Sequence, residues 1–600
     1  MSGARGAWPQ RALALLVPGT FTTSAFMDSS GEKQPSPVSS PSSMFADGAN
    51  DLVAGILLDR FWWSLGFEKV AMGLLTLVED RPTPKAVYNW RVYTAASVAS
   101  WAACMIGYDS AFIGTTLALP SFAEEFKFAE MSKAHLNLTK ANIVSVYQAG
   151  AFFGAFGAYA SSHYIGRRKS LILWTLIFII GAGMMLGANG DRGLGLIIGG
   201  RVLAGLGVGG CSNMVPIYIS ELSPPAVRGR LVGIYELGWQ VGGLVGFWIN
   251  YGLEQTMAPS HKQWIIPFAV QLIPAGCLLI GAVWMRESPR WCLSKGRREQ
   301  ALKDLCWIRN LPEDHPYIME ELEAIDAQVE HDRITVGPGF WKPFAALKQR
   351  KVQYRLFLGG MLFLWQNGSG INAINYYSPT VFKSLGVTEG FLTTGIFGVV
   401  KTVLTIFWLL YLIDRLGRTK LLMLGALGGS LCMWYIAAYI KIADPANNPS
   451  RDGKLTSGGI SAVFFFYLWT AFYTPSWNGT PWVINSEMYS QQTRSLGQAC
   501  AAANNWFWNF IISRFTPQMF STMGYGVYMF FACLMLLSIP FVFFLIPETK
   551  GIPLERMDEL FDMRPTYRAH PLLLERLKEN EDVNVVIRDE KAKGEHNEMA

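Results

Sequence analysis

Long apolar segments alternate with short polar segments over most of this chain. The segments 170–190, 264–285 and 526–546 carry almost no charged side chains, and each has the roughly 20 residues that a helix needs to cross ~30 Å of hydrocarbon. We predict twelve membrane spans, numbered 1 to 12 along the chain: 92–118, 141–160, 169–188, 196–219, 231–252, 264–285, 355–379, 391–412, 420–440, 460–485, 497–518 and 525–546. The pattern predicts an all-α membrane protein.

One long polar segment divides the spans into two sets of six, as expected of a protein built from two related halves. The predicted regions are an N-terminal six-helix half (72–285), a cytoplasmic linker (286–354), a C-terminal six-helix half (355–546) and a cytoplasmic tail (547–600). Residues 1–71 are rich in Ser, Pro, Gly and Ala, and we expect a disordered extension there. A signal peptide around the short apolar stretch 12–17 is the alternative.

Basic residues predict the orientation in the membrane. They cluster at 167–169, 228–230, 415–420 and 494 and in the linker, all on one side of the predicted spans. Since Lys and Arg are enriched in cytoplasmic loops, both termini should be cytoplasmic. The sequon at Asn137 then lies in the first outer loop, where we expect glycosylation.

Composition excludes several other classes of protein. Only 16% of residues are charged, against 51% hydrophobic, and soluble proteins average about 25% charged. Six of the eight cysteines lie in apolar stretches, so no disulfide framework is indicated. The net charge of +6 is scattered through loops, which argues against nucleic acid as a partner. No metal-spaced cluster or nucleophile motif is present, and we expect neither an enzyme nor a cofactor.

Two charged motifs recur at a separation of six spans. Glu221 precedes Arg228 by seven residues after span 4, and Glu487 precedes Arg494 by the same interval after span 10. Gly-Arg sequences follow spans 2 and 8, the second running from Asp414 to Arg418. Surface ion pairs contribute little stability, so ordinary juxtamembrane charges do not explain the shared spacing. We expect these residues to form a gating cluster on the cytoplasmic side.

These motifs, with others, give the chain a family resemblance over residues 88 to about 560. It resembles the sugar porter family of the major facilitator superfamily in Gly107-Tyr108-Asp109, 200–209, Glu287-Ser288-Pro289-Arg290, Gln366 with Gly370-Ile371-Asn372, and Pro547-Glu548-Thr549-Lys550-Gly551. Within that family it is most similar to the fungal quinate permeases, through 78–84, 365–372 and 505–510. The resemblance implies the twelve-helix major facilitator fold.

Asp109 in span 1 and Arg201 in span 4 are charged residues inside predicted spans. Asp109 and Arg201 would each cost about 2.5–3.5 kcal/mol in a membrane unless they are paired or face water, which predicts that they pair. The resemblance implies that Asp109 accepts the transported proton and that Arg201 is its partner. A purely structural salt bridge is the alternative.

Span 7 is too polar to face lipid, because it carries four amide side chains among glycines. Amides suit hydroxyl-bearing ligands, since each has donors and an acceptor. The resemblance implies substrate contacts in spans 7, 10 and 11 at Gln366, Asn367, Asn372, Trp482 and Asn505. Packing between helices is the alternative for these side chains.

Two departures from the family pattern point to an acidic substrate. Glu236 stands where sugar porters usually have Gln, and Lys401 stands where they often have Asn. A lysine within a membrane needs a counter-ion, and a carboxylated cyclic polyol would supply one. We expect Lys401 to bind the carboxylate and Glu236 to bind hydroxyls or a proton. Pairing of Lys401 with Glu236 or Asp109 for structural reasons is the alternative.

The predicted function is therefore proton-coupled symport of quinate or a similar acid by alternating access. A neutral hexose, pentose or inositol symporter is the nearest alternative, and a non-transporting nutrient receptor is a more distant one. The expected partners are the small-molecule substrate, protons and the lipid bilayer. We expect a monomer in the plasma membrane.

Overall fold

The computed structural model describes residues 83–224, 227–337, 339–387, 390–412, 416–445, 448, 455–489, 493–550, 552 and 556–576. The predicted extension 1–71 and the end of the predicted tail lie outside these residues. Helices form the regular structure throughout the described ranges, and no strand occurs in them.

All twelve predicted spans fall on helices. Spans 1 to 6 are Trp90–Thr116, Lys133–Ile165, Arg167–Leu186, Gly195–Leu222, Arg228–Thr256, and the pair His261–Val270 and Leu272–Trp284. Spans 7 to 12 are Arg350–Gly368 with Ile371–Ser384, Gly390–Phe407 with Trp408–Leu412, Arg418–Ala443, Ser457–Tyr473 with Thr474–Asn478 and Thr480–Met488, Arg494–Met523, and Gly526–Leu545. Each predicted span overlaps a helix, or a consecutive set of helices, over nearly its whole length.

Seven of these helices, among the residues described, are long and apolar enough by themselves to cross a membrane. They belong to spans 2, 3, 4, 6, 8, 9 and 12. The helices of the other five spans are more polar or interrupted.

Span 7 breaks in its middle, where a ligand or a gate needs irregular backbone. Its first helix ends at Gly368, and Gly370 adopts a φ of +88° before the second helix begins. A residue with a side chain is strained at that φ, so glycine is required. The second helix is bent again at Tyr377, just before Pro379. Span 10 is interrupted by the π-helical turn Thr474–Asn478, a feature common at functional sites.

Most buried hydrophobic residues of each half form a core cluster of their own, and the two halves meet along three pairs of helices. Span 2 packs on span 11, span 5 on span 8, and the second helix of span 7 on span 1. At this last contact, a Cβ at Gly114 would lie 2.0 Å from the carbonyl oxygen of Tyr376. The halves therefore approach backbone to backbone there.

Short helices cover the remaining surface. The linker contains Pro289–Ser294, Arg298–Arg309, Pro316–Val336 and Lys342–Ala346. A small core of its own includes Trp291, Leu305 and Ile318. Other helical pieces are Lys85–Val87, Pro120–Glu125, Phe128–Glu130, Met557–Asp562 and 566–576.

Candidate functional site

Asp109 and Arg201 form an ion pair inside the N-terminal half. Arg201 Nη1 donates to Asp109 Oδ1 at 3.0 Å, and both side chains are 0% exposed. The Arg201 Nε and Nη2 atoms are buried without a hydrogen-bond partner among the described residues. One N–H thus holds the pair together, which is a weaker connection than the bidentate geometry that Arg can adopt.

Aromatic rings connect this pair with the other half. The Arg201 guanidinium lies 4.7 Å from the ring centroid of Tyr147. Tyr147 meets Trp506 of span 11 edge to face at 6.0 Å, and Trp506 stacks on Trp239 of span 5 at 6.3 Å. The ion pair is therefore in physical contact, through packed rings, with residues of spans 5 and 11.

Glu236 is bound by two amides from opposite halves. Its Oε1 accepts hydrogen bonds from Gln240 Nε2 at 2.9 Å and from Asn478 Nδ2 at 2.6 Å. Gln240 lies one turn along span 5, whereas Asn478 lies in the π-helical turn of span 10. This carboxylate thus connects the two halves, and no cation from the described ranges forms an ion pair with it.

Lys401 lines a pocket between spans 1, 5, 7 and 8. Its side chain is 6% exposed. No residue in the described ranges makes a hydrogen bond or an ion pair with its ammonium group, and Glu236 attracts it only over a longer distance. Direct structural pairing with Glu236 or Asp109 is not formed. The ammonium group is available to an anion in the pocket.

The pocket is lined by polar side chains and aromatic rings. Its lining residues are Gly107, Ser110, Ala111, Trp239, Gln240, Gly243, Leu244, Phe247, Asn375, Gly398 and Lys401. Asn375 Oδ1 is buried without a partner among the described residues, so it can accept a hydrogen bond from a hydroxyl. The lining thus offers a cation, a hydrogen-bond acceptor and aromatic faces to a ligand.

Sequence reasoning did not propose Ser110, Trp239, Gln240 or Asn375 as site residues. Gln240 could have been found, because it follows Glu236 by one helical turn and so shares its face. Asn375 was recognisable as one of the amides of span 7. Trp239 and Ser110 have no sequence signal of their own, since aromatic and small polar residues are common throughout the spans.

The predicted polyol contacts form a chain of amides. Asn367 Nδ2 donates to Asn505 Oδ1 at 3.0 Å, and Asn372 donates to Asn367 Oδ1. Gln366 Nε2 donates to the backbone carbonyls of Trp477 and Asn478 at 2.8 and 2.7 Å. These contacts join the side-chain amides of spans 7 and 11 and connect span 7 with the backbone of span 10, and they use much of the donor capacity of the amides within the protein.

Trp482 lies between the two halves. Its ring is 4.7 Å from that of Phe363, and it packs against the hydrophobic cores of both halves. It does not line the pocket that contains Lys401. Its position suits a contact that changes when the halves move.

At the helix ends that follow spans 2 and 4 of the N-terminal half, Glu221 pairs with Arg167. The contact is bidentate, with both N···O distances at 2.9 Å. Glu287 accepts the backbone N–H of Arg167 at 2.8 Å, and a Cβ at Gly166 would meet that carboxylate at 2.5 Å. Gly166, with a φ of +94°, is thus required by both backbone and space. The side chain of the predicted partner Arg228 lies outside the described residues.

The C-terminal half repeats this arrangement. Arg418 pairs with Glu487 at 3.1 Å, and Glu548 accepts the backbone N–H groups of Arg418 and Thr419 at 2.9 and 3.0 Å. Burial alone would raise the pKa of the Glu548 carboxyl, but these donors hold it below its usual value. A Cβ at Gly417 would meet Glu548 at 2.6 Å. Each ion pair therefore connects helices of a single half.

The remaining predicted residues are the gating residues Asp414 and Arg494 and the glycosylation site Asn137. Asp414 lies outside the described residues. Arg494 begins the helix of span 11. Asn137 is partly buried in the first turns of span 2, and Thr139 of its sequon is 8% exposed. Its glycosylation stays a prediction.

Cysteine and histidine side chains form no metal site in the described ranges, where no group of three potential ligands occurs. All eight cysteines are free. Cys292 and Cys306 both belong to the linker. The candidate site is therefore built from carboxylates, amides and cationic side chains.

Comparison with known proteins adds relatives of high similarity. The family model "Sugar (and other) transporter" matches residues 95–561. Over 510 residues, 84% of this chain and 95% of each relative, the chain is 71% identical to the "MFS-type transporter qa-x" of Neurospora crassa and 70% identical to a "Quinate permease" of Neurospora terricola. It is 68% identical to a "Probable quinate permease" of Aspergillus niger over 514 residues, 85% of this chain and 95% of the relative.

Solved structures show the same fold. The proton:xylose symporter XylE bound to 6-bromo-6-deoxy-D-glucose is 27% identical, with a TM-score of 0.64, over 78% of this chain and 99% of that protein. The inward open conformation of the Escherichia coli xylose transporter XylE gives a TM-score of 0.63 at 26% identity, over 78% of this chain and 100% of that one.

Proposed function

The chain belongs to the sugar transporter family, with the twelve-helix major facilitator fold in two six-helix halves, and we propose that it is a proton-coupled symporter of quinate or a similar carboxylated cyclic polyol. It is a multi-pass membrane transporter. The proposed mechanism is alternating access, in which the halves rock about a site at the membrane midplane.

The observation that carries this substrate class is the Lys401 ammonium in the pocket. A buried cation is costly without a counter-ion, and no described residue supplies one by direct contact. A substrate carboxylate supplies it. Asn375 Oδ1 can then accept a ring hydroxyl, and Trp239 offers an apolar face to the ring. Two of the relatives named above are called quinate permease or probable quinate permease, which agrees with this chemistry.

Polyol recognition would involve the amide chain as well. Asn367, Asn372 and Asn505 are already joined by hydrogen bonds, so a hydroxyl can enter by exchanging one of these bonds for another at small net cost. Gln366 would position the site through the backbone of span 10. Trp482 would seal the ring against the boundary between the halves.

Proton coupling is assigned to Asp109 and Arg201. A proton on Asp109 cancels the charge that attracts Arg201, and one N–H contact is then easily lost. The freed guanidinium lies against Tyr147, whose ring leads through Trp506 to the pocket wall. Movement at the ion pair can therefore reach the substrate pocket by direct packing.

Gating is assigned to the paired cytoplasmic clusters. The pairs Arg167–Glu221 and Arg418–Glu487 each lie within one half, so they would make the helix ends of each half move as a unit. Arg228, Asp414 and Arg494 would complete these clusters. The inner opening would then form between the halves.

We place the transporter in the plasma membrane as a monomer, with both termini in the cytoplasm. Basic residues beside the inner ends of spans 2, 4, 8 and 10 support this orientation. Uptake of an external acid fits that membrane.

Uptake of labelled quinate and labelled glucose, measured in cells that lack carriers for both, tests this function. We expect quinate to accumulate and unlabelled glucose to compete poorly. Uptake of glucose without quinate would establish the neutral-sugar alternative. Uptake of neither solute by protein that has reached the membrane would favour the receptor alternative.

A further inference from the structure

Glu236 and Lys401 lie near enough to attract each other, and neither contacts the other directly. With both groups ionised, the region between spans 5 and 8 carries one negative and one positive charge. The Glu236 carboxylate is bound by two neutral amides, those of Gln240 and Asn478. The other titratable groups close to it are the hydroxyls of Tyr235 on span 5 and Tyr473 on span 10. Tyrosine is neutral at physiological pH, so Lys401 is the cation near Glu236 among the described residues.

A substrate carboxylate changes this charge balance. When it binds Lys401, the site holds two negative charges and one positive charge. A net charge in a buried, weakly polar site is costly unless it is neutralised. A proton restores neutrality, and Glu236 is the carboxylate positioned to accept it.

We propose that Glu236 binds a second proton when a carboxylate occupies Lys401, so that each monovalent acid enters with two protons and one net positive charge. The inference rests on the proposed function, because it requires an anionic substrate and a first proton at Asp109. The proton adds to a Glu236 oxygen on the outer side and leaves on the cytoplasmic side. The membrane potential then drives uptake together with the pH gradient.

Asn478 transmits this protonation to the other half. Its side chain donates to Glu236 at 2.6 Å, and its carbonyl accepts from Gln366 at 2.7 Å. A neutral carboxylic acid is a weaker acceptor than a carboxylate, so protonation loosens the bond between spans 5 and 10. The second proton thus favours movement of the halves only when substrate is bound.

The test is the ratio of charge to solute for the full-length protein in proteoliposomes. Current and labelled quinate uptake are measured together at fixed voltage and pH. We expect one positive charge for each quinate in the unmodified protein. Glu236→Gln should lower the ratio to zero and leave uptake driven by the pH gradient alone. Glu254→Gln, which removes an exposed carboxylate from the same helix, should keep the ratio at one.

Each outcome distinguishes this inference from the proposed function. Quinate uptake with a ratio of zero in the unmodified protein overturns the second proton and leaves quinate transport intact. A ratio of one that persists in Glu236→Gln overturns the assignment to Glu236. Absence of quinate uptake by the unmodified protein overturns the proposed function itself. If Glu236→Gln fails to fold, Glu236→Asp takes its place, because it keeps a titratable group. We expect a charge-to-quinate ratio of one for this variant. A ratio of zero would contradict the inference.

Discussion

The side-chain amide of Asn478 donates to the carboxylate of Glu236 at 2.6 Å, across the boundary between the two halves. The carbonyl of Asn478 also accepts from Gln366 in span 7. One residue therefore connects an acidic group of the N-terminal half with the amide-rich span of the C-terminal half. Because buried polar networks depend on every member being satisfied, we expect a change of charge at Glu236 to alter the hydrogen bonds of span 7.

Replacing Lys401 with Asn should weaken uptake of an acid far more than uptake of a neutral polyol. A hydrogen bond to a charged group contributes about 1.5–3 kcal/mol, which corresponds to about 10–100-fold in affinity for quinate. The half-saturating concentrations for labelled quinate and for a neutral analogue check this. Lys383→Asn, which removes an exposed lysine at the end of span 7, serves as the control. Equal losses for the acid and the neutral solute would contradict the assignment of Lys401 to the substrate carboxylate.

Asp109→Asn should lower accumulation of quinate driven by a pH gradient, because one of the two proposed proton sites is lost, and should also destabilise the protein. Removal of one partner from a buried pair leaves an uncompensated charge and costs about 3–5 kcal/mol. The double variant Asp109→Asn with Arg201→Met should regain thermal stability without regaining the lost accumulation. Thermal unfolding in detergent and uptake in vesicles separate the two effects. A double variant that accumulates quinate as strongly as the unmodified protein would show that Asp109 does not couple protons to transport.

The sequence predicted the spans well because apolar length is a local property. It also predicted the Asp109–Arg201 contact, since each charge requires a partner within the membrane. It did not predict that Glu221 pairs with Arg167, because several basic residues lie near these helix ends and spacing along the chain does not choose among them. Nor could it show that Gln366 is held by backbone carbonyls, since the π-helical turn that exposes those carbonyls has no clear sequence signal.

Gly114→Ala should slow transport by preventing close approach of spans 1 and 7. A Cβ there would lie 2.0 Å from the Tyr376 carbonyl oxygen, and overpacking of this kind costs about 1–3 kcal/mol. We expect a lower maximal rate of quinate uptake with normal amounts of protein at the membrane. Gly252→Ala is the matched control, because nothing lies within 4 Å of a Cβ at that position. Equal rates in the two variants would show that the contact is not needed for transport.

Glu548→Gln should reduce thermal stability at neutral pH by a few degrees. The folded protein holds the pKa of Glu548 below its usual value. The stability that the Glu548 carboxylate gives the folded protein is therefore complete above the unfolded pKa of about 4.3. This stability is lost as the pH falls through the folded pKa. The difference in melting temperature between the two proteins should shrink below about pH 4. Glu575→Gln, an exposed position in 566–576, should show no difference at any pH, and a pH-independent effect of Glu548→Gln would contradict the expected role.

The most direct test of the central claim uses the purified protein in proteoliposomes with an imposed pH gradient, acidic outside. Labelled quinate should accumulate above its equilibrium concentration, a protonophore should abolish that accumulation, and labelled glucose should not accumulate. Equal accumulation of glucose, or quinate that only equilibrates across the membrane, would contradict proton-coupled transport of a carboxylated polyol.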